Sequence, residues 1–172
     1  MLKKEIEKAF NEQINAELYS SYLYLSMAAY FESNNLAGFG NWMRVQAQEE
    51  LVHAMKFFTF IHERGGKVVL DAIAKPPAKW SSPKNAFQEV YKHECKVSAL
   101  IHKLVDLAIA EKDHAANAFL QWFVEEQIEE EASADAIVKK LELLDGAPGG
   151  MYMLDRELGQ RTFAMPPSAE GA

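Results

Sequence analysis

The residues best equipped for chemistry begin at Glu49-Glu50-Leu51-Val52-His53. Glu50 and His53 are three residues apart, so on a helix they share a face and can reach the same cation. That face runs back through Gln46 and Met43 and forward through Phe57, Phe60 and Arg64, so the pair interrupts a core-facing stripe. Burying a carboxylate there is costly unless it is paired or bound to metal. A lone Glu-x-x-His is common by chance and more often marks a solvated face. The rest of the chain changes that reading. Glu50 and His53 follow Glu17 at intervals of 33 and 36, the same intervals at which Gln127 and Glu130 follow Glu94. Two helix pairs repeated in this way bring one acid from each first helix, and two ligand-capable groups from each second helix, to a common level.

A further acidic run, Glu125-Glu126-Gln127-Ile128-Glu129-Glu130-Glu131, surrounds the last of these positions. Such runs are usually solvated faces. Here Glu126, Glu129 and Glu130 stand at i, i+3 and i+4, a cluster that repels itself unless cations or water relieve it. With Glu49 they could form an additional all-oxygen metal position beside the first two.

Four long helices are predicted to carry these groups. The first spans about Lys3 to Ser33, with Phe10, Glu17, Tyr24 and Phe31 recurring every seven residues and Ile14, Ser21 and Ala28 filling the other inward positions. Glu17 alone breaks the stripe, and Tyr24 lies two turns away on the same face, where its hydroxyl can bond a ligand. After the turn at Asn34-Asn35-Leu36, the second helix runs from about Gly38 to Arg64 and is stopped by Gly65-Gly66. Residues 65–82, with Val68-Val69-Leu70 extended, form a loop whose length suits a crossover between helices that run the same way. Ser82-Pro83 caps the third helix, which extends to about Lys112 with Phe87, Val90, Tyr91, Glu94, Val97, Ile101, Leu104 and Ala108 inward. The fourth, from Asp113 to about Leu144, has a heptad seam of Phe123, Gln127, Glu130, Ala134, Ile137, Leu141 and Leu144. Gly146-Ala147-Pro148-Gly149-Gly150 breaks the bundle. A short fifth helix, about Met151 to Arg161 within residues 146–163, must dock by Met151, Leu154 and Leu158. Residues 164–172 read as a disordered tail.

At 172 residues the chain has the length of one domain, with the bundle over residues 1–145. Its net charge of −7 argues against a nucleic-acid partner. The single cysteine, Cys95, allows no intrachain disulfide and no rubredoxin-type cysteine cluster. The start is charged and helical, without the apolar core of a signal peptide, and no apolar run reaches the roughly 20 residues of a membrane span. A reducing cytoplasm is the expected location.

With Glu17, Tyr24, Glu50, His53, Glu94, Gln127 and Glu130 in place, beside a crossover and a fifth short helix, the chain resembles the bacterial and archaeal non-haem ferritins, within the ferritin-like di-metal carboxylate proteins. The resemblance extends from Asn11-Glu12-Gln13-Ile14-Asn15-Ala16-Glu17 through Asn41-Trp42-Met43 to Glu126-Gln127-Ile128-Glu129-Glu130-Glu131. It implies an all-α, ferritin-like four-helix bundle with a fifth helix, assembled as a hollow shell of about 24 copies of itself. It also implies storage of ferric mineral and a ferroxidase centre using O2 or H2O2. Carried over, the first iron uses Glu17, Glu50 and His53, and the second uses Glu50 as a bridge with Glu94 and Glu130, Gln127 standing close by. A third uses Glu49, Glu126, Glu129 and Glu130. Tyr24 and Trp122 match aromatic residues beside the centre.

The departures from related families are specific. Haem-binding bacterioferritins have methionine where this chain has Leu51 and histidine where it has Glu130, so no haem is expected. The acids of the animal three-fold channel correspond to Asn117 and Leu120, and the animal mineral-nucleating glutamates to Val52 and Met55. Carboxylates with one imidazole suit iron better than a thiolate set would. A bridging carboxylate holds two ions at about 3.5–4 Å, close enough for each Fe2+ to give an electron to O2. A di-iron peroxidase or oxygenase of the rubrerythrin type is the alternative and would retain its iron. A metal-free bundle with its inward acids paired to Arg44, Lys96 or water is the third reading.

Overall fold

The computed structural model describes residues 1–144, 147 and 149–164. Five helices account for the regular structure among them: α1 Lys4–Ser33, α2 Ala37–Glu63, α3 Pro83–Ala110, α4 His114–Leu143 and α5 Gly150–Leu158. None is long and apolar enough to cross a membrane. The helix ends follow local chemistry. The Ser82 hydroxyl accepts the Asn85 N–H at 3.0 Å with proline in the first turn of α3, and the Asp113 carboxylate accepts the Ala116 N–H at 3.0 Å at the start of α4. Gly65, at φ +69°, takes the left-handed turn that ends α2.

Helices α1 and α2 form one antiparallel pair, and α3 and α4 the other. The segment after Gly65 climbs the whole of α1. Asn11 Nδ2 donates to the Lys67 carbonyl and Asn11 Oδ1 accepts the Val69 N–H, Asn15 holds the carbonyls of Asp71 and Ala72, and the Ser26 hydroxyl donates to Pro77 O. Trp80 then packs against Tyr30. Because the connection travels back to the other end, α3 runs in the same direction as α2. Their C-terminal ends meet, with Arg64 making a two-pronged ion pair to Asp113 at 3.1 and 3.0 Å. The expected extended stretch Val68–Leu70 forms no strand, since its backbone is tied to α1 side chains rather than to another strand.

Apolar packing falls into two clusters. One gathers Phe31, Phe39, Trp42, Phe87, Ile137 and Leu141, and the other Phe10, Phe57, Ile61, Ile101, Leu120 and Phe123. Leu120 is thus core rather than channel lining. Tyr91, expected inward, is 36% exposed. It lies only about 100° around the helix from Val90, and Val90, Glu94 and Val97 take the buried seam.

The fifth helix docks on the N-terminal end of α2. Asp155 Oδ1 accepts the N–H groups of Gly38 and Phe39 at 2.8 and 3.0 Å, capping α2 from a distant part of the chain. The helix stops at Leu158 rather than near Arg161. Beyond Gly159 the chain turns so that the Asn41 side chain takes the Arg161 carbonyl. Residue 145 at the end of the expected bundle, residues 146 and 148 of the expected break, and the expected tail past Ala164 lie outside the described residues. A methyl group at Gly38 would coincide with the Asp155 carbonyl oxygen. Gly38→Ala is therefore expected to push α5 off α2 at a cost of about 2–3 kcal/mol, lowering Tm by roughly 5–10 °C. Thermal unfolding with hydrogen exchange of residues 150–158 measures this, and an unchanged Tm would mean that α5 is not held there.

Candidate metal centre

Between the two apolar clusters every helix of the bundle sends in a polar side chain. Glu17 from α1, Glu50 and His53 from α2, Glu94 from α3, and Gln127 and Glu130 from α4 are all buried. Ligand atoms of Glu17, Glu50 and His53 lie within 4.8 Å of one another, with His53 Nδ1 3.3 Å from Glu50 Oε2. A second grouping of the same size joins His53, Glu126 and Glu130.

Hydrogen bonds orient these acids. Gln46 Nε2 donates to Glu50 Oε1 at 3.3 Å and to Glu130 Oε2 at 2.7 Å, so one amide ties α2 to α4. Gln13 Nε2 donates to Glu17 Oε1 at 2.9 Å, whereas Glu17 Oε2 is buried with no hydrogen-bond partner among the described residues. Glu94 is held from both sides. The Tyr24 hydroxyl donates to Oε1, and Gln127 Nε2 donates to Oε2 at 3.3 Å and to the Glu94 carbonyl at 3.2 Å. Trp122 lies edge-on to the His53 ring at 5.4 Å.

Burial makes several of these acids hold their protons to unusually high pH. Burial, and then the charge of Glu50, push the Glu17 carboxyl up to about 8. Burial followed by Glu130 does the same to Glu50, also to about 8. Glu94 is raised well above the usual range by burial and then by Glu50 and Glu130. Burial raises Glu49 to about 7, even though Arg161 pulls the other way. Like charges brought this close out of water cannot all ionise. A cation that binds the ionised forms therefore binds against protons, and more tightly as pH rises.

The candidate residues do not all converge. Glu94 joins neither grouping, because Tyr24 and Gln127 engage both of its oxygens. Glu129 is exposed and outside both, being about 100° around α4 from Glu130. Glu49 lies against Arg161, its Oε2 2.5 Å from Arg161 Nη2. The partners considered for a metal-free bundle are elsewhere: Arg44 pairs with Glu32, and Lys96 is exposed. Gln13, the role of Gln46, and Arg161 escaped the sequence reading. For the two glutamines a signal existed. Each stands four residues before its acid, Gln13 before Glu17 and Gln46 before Glu50, within the 33-residue repeat. Arg161 had none, since only the path of the chain after α5 brings it to α2.

Fold and buried acids define a class: four-helix bundles, crossed over between the second and third helices, whose apolar interior is cut by a layer of carboxylates and one histidine. The family described as the ferritin-like domain matches residues 7–144. A bacterial non-heme ferritin of Bacteroides fragilis is 46% identical over 94% of this chain and 100% of its own. One from Escherichia coli is 38% identical over 92% of this chain and 96% of its own. Among solved structures, an open pore ferritin from the hyperthermophilic archaeon Archaeoglobus fulgidus superimposes with a TM-score of 0.93 at 55% identity, covering 94% of this chain and 100% of that one. A closed form of that ferritin, engineered by site-directed mutagenesis, reaches 0.94 at 55% identity over 95% and 100%. The chain belongs to the ferritin family.

Proposed function

We propose that this protein stores iron: it oxidises Fe2+ at a centre inside each bundle and keeps the ferric product within a shell of about 24 copies of itself. The observation that carries the reading is Glu17 Oε2, buried beside Glu50 and His53 with no hydrogen-bond partner among the described residues. A buried carboxylate oxygen left unbonded is costly, and a cation shared with Glu50 and His53 offsets both that cost and the repulsion among the acids.

In this reading Fe2+ is a substrate. One ion takes Glu17, Glu50 and His53. A second shares Glu50 and takes Glu130 and Glu94, the Glu94 carboxylate turning one oxygen away from Gln127 while Tyr24 holds the other. A third lies by Glu126 and Glu130, with Glu49 joining once freed from Arg161 and Glu129 by turning in from the surface. Two Fe2+ give up one electron each; O2 accepts both with two protons and leaves as H2O2, or H2O2 accepts both with two protons and leaves as two waters. Oxygen donors and one imidazole, without thiolate, favour the ferric product. A cytoplasmic setting belongs to the proposal.

The test is aerobic addition of Fe2+ in stepwise excess to the purified protein, following ferric absorbance and particle size together. The expected outcome is a shell-sized particle that oxidises iron far beyond two ions per subunit and acquires an electron-dense core. Saturation at two ions on a monomer or dimer would instead indicate a peroxidase or oxygenase that retains its metal.

A further inference from the structure

Arg161 lies past the end of α5, and its guanidinium reaches back over α2. Nη2 donates to Glu49 Oε2 at 2.5 Å and Nη1 to Gln46 Oε1 at 2.8 Å, while the guanidinium carbon sits 4.4 Å from the centre of the Trp42 ring. The Arg161 backbone is pinned as well, its carbonyl accepting from Asn41 Nδ2 at 2.9 Å. Gln46 is the connection inward. With Oε1 committed to Arg161, its NH2 group must face Glu50 and Glu130, which it does at 3.3 and 2.7 Å. Turned over, the amide would set its oxygen against two carboxylates and its NH2 against a cation that has no acceptor. The direction of this amide is therefore set from outside the cluster, by a residue of the C-terminal segment.

We propose that Arg161 is a positioning residue and the built-in counter-ion of the outer cation position: it orients Gln46 between Glu50 and Glu130, and it must leave Glu49 before a metal ion can use that carboxylate. The inference rests on Glu49 being a ligand of the third position. Arg161 fills the role of a cation at Glu49 while the position is empty, so the carboxylate is neutralised without metal and a metal ion competes with a tethered guanidinium. The same contact fastens the segment after α5 to α2. Filling the outer position thus removes one of the contacts that hold that segment and loosens it, a link between cation occupancy and the docking of the C-terminal arm.

Zn2+ tests this without redox chemistry. Calorimetric titration of the assembled, metal-free, full-length protein is expected to show tight binding followed by a weaker phase at the outer position. Arg161→Gln removes the competing charge and is expected to strengthen that weaker phase about tenfold, the equivalent of one charge-assisted hydrogen bond. Arg161→Lys keeps a cation at Glu49 and is expected to stay near the wild type. Hydrogen exchange of residues 159–161 is expected to rise in the wild type as the weaker phase fills, and in Arg161→Gln to be high from the outset. A purely structural Arg161 would weaken zinc binding on removal or leave it alone. Should Glu49→Gln abolish the weaker phase while Arg161→Gln leaves it unchanged or weaker, Arg161 is no counter-ion, although the outer position stands. Should Glu49→Gln leave that phase intact, Glu49 is not a ligand, and the outer position as assigned falls together with the inference.

Discussion

Metal-free protein is expected to lose stability as pH rises from about 6.5 to about 8, the opposite of what most carboxylate-rich proteins do. Glu17 and Glu50 ionise near 4.5 when the chain is unfolded but near 8 when folded. Between those values the native state binds protons that the unfolded state has lost, so stability falls with each step up in pH. It is fully present below 4.5 and gone above 8. Glu49, raised to about 7, acts in the same direction. His93 opposes it at the acid end: burial holds its imidazole down to about 4 against an ordinary 6.5, so between those values the unfolded state binds the extra proton and stability climbs with pH. The fall is therefore sharpest above 6.5. Together Glu17 and Glu50 account for about 4 kcal/mol between pH 6.5 and 8, a Tm drop of roughly 8–16 °C. Scanning calorimetry of chelator-treated protein measures it. Saturating Zn2+ is expected to flatten or reverse the slope, because metal binds the ionised acids that the apo-protein cannot accommodate. A metal-free profile that is level or rising from 6.5 to 8 would mean that the acids do not share a dry interior.

Glu50→Gln is expected to slow the initial rate of Fe2+ oxidation by about 100-fold or more, since even groups that only orient a metal ligand are worth 10–100-fold. Glu50 is the carboxylate that links the two sides of the cluster. One oxygen is 3.3 Å from His53 in the grouping with Glu17, and the other shares the Gln46 amide with Glu130. Among the described acids it alone is grouped with Glu17 and also shares the Gln46 amide with Glu130, so no neighbour substitutes for it. The amide matches the carboxylate in size and removes its charge, so the metal-free variant is expected to be more stable than the wild type at pH 8. Slower oxidation in a more stable protein separates lost chemistry from lost folding. Stopped-flow absorbance beside thermal unfolding checks both halves. A rate within about threefold of the wild type, together with raised stability, would favour a bundle whose acids have no metal to hold.

What the chain determines alone is the periodic part of the molecule. The alternation of core and surface along each helix, the caps at Ser82 and Asp113, the stop at Gly65 and the common level of Glu17, Glu50, Glu94 and Gln127 all follow from the 3.6-residue helical repeat and from contacts within a turn or two. They are legible because residue spacing in a helix is residue position in space. Even Gln13 and Gln46, each one turn before its acid, belong to this legible part.

The remainder depends on where distant segments come to rest. Tyr91 and Glu129 each lie one step of about 100° from a buried neighbour, and only the rotation of packed helices decides which of the two faces the interior. Glu94 stands at the level of the other acids but is claimed by Tyr24 from α1 and Gln127 from α4. Asp155 on Gly38 and Phe39, and Arg161 on Gln46 and Glu49, join residues more than 100 positions apart through a turn that carries no periodicity. Helical spacing says which side chains share a stripe. Only the packed structure, by setting the rotation of each helix and the path of each connection, decides which stripes meet and which charge ends beside which acid.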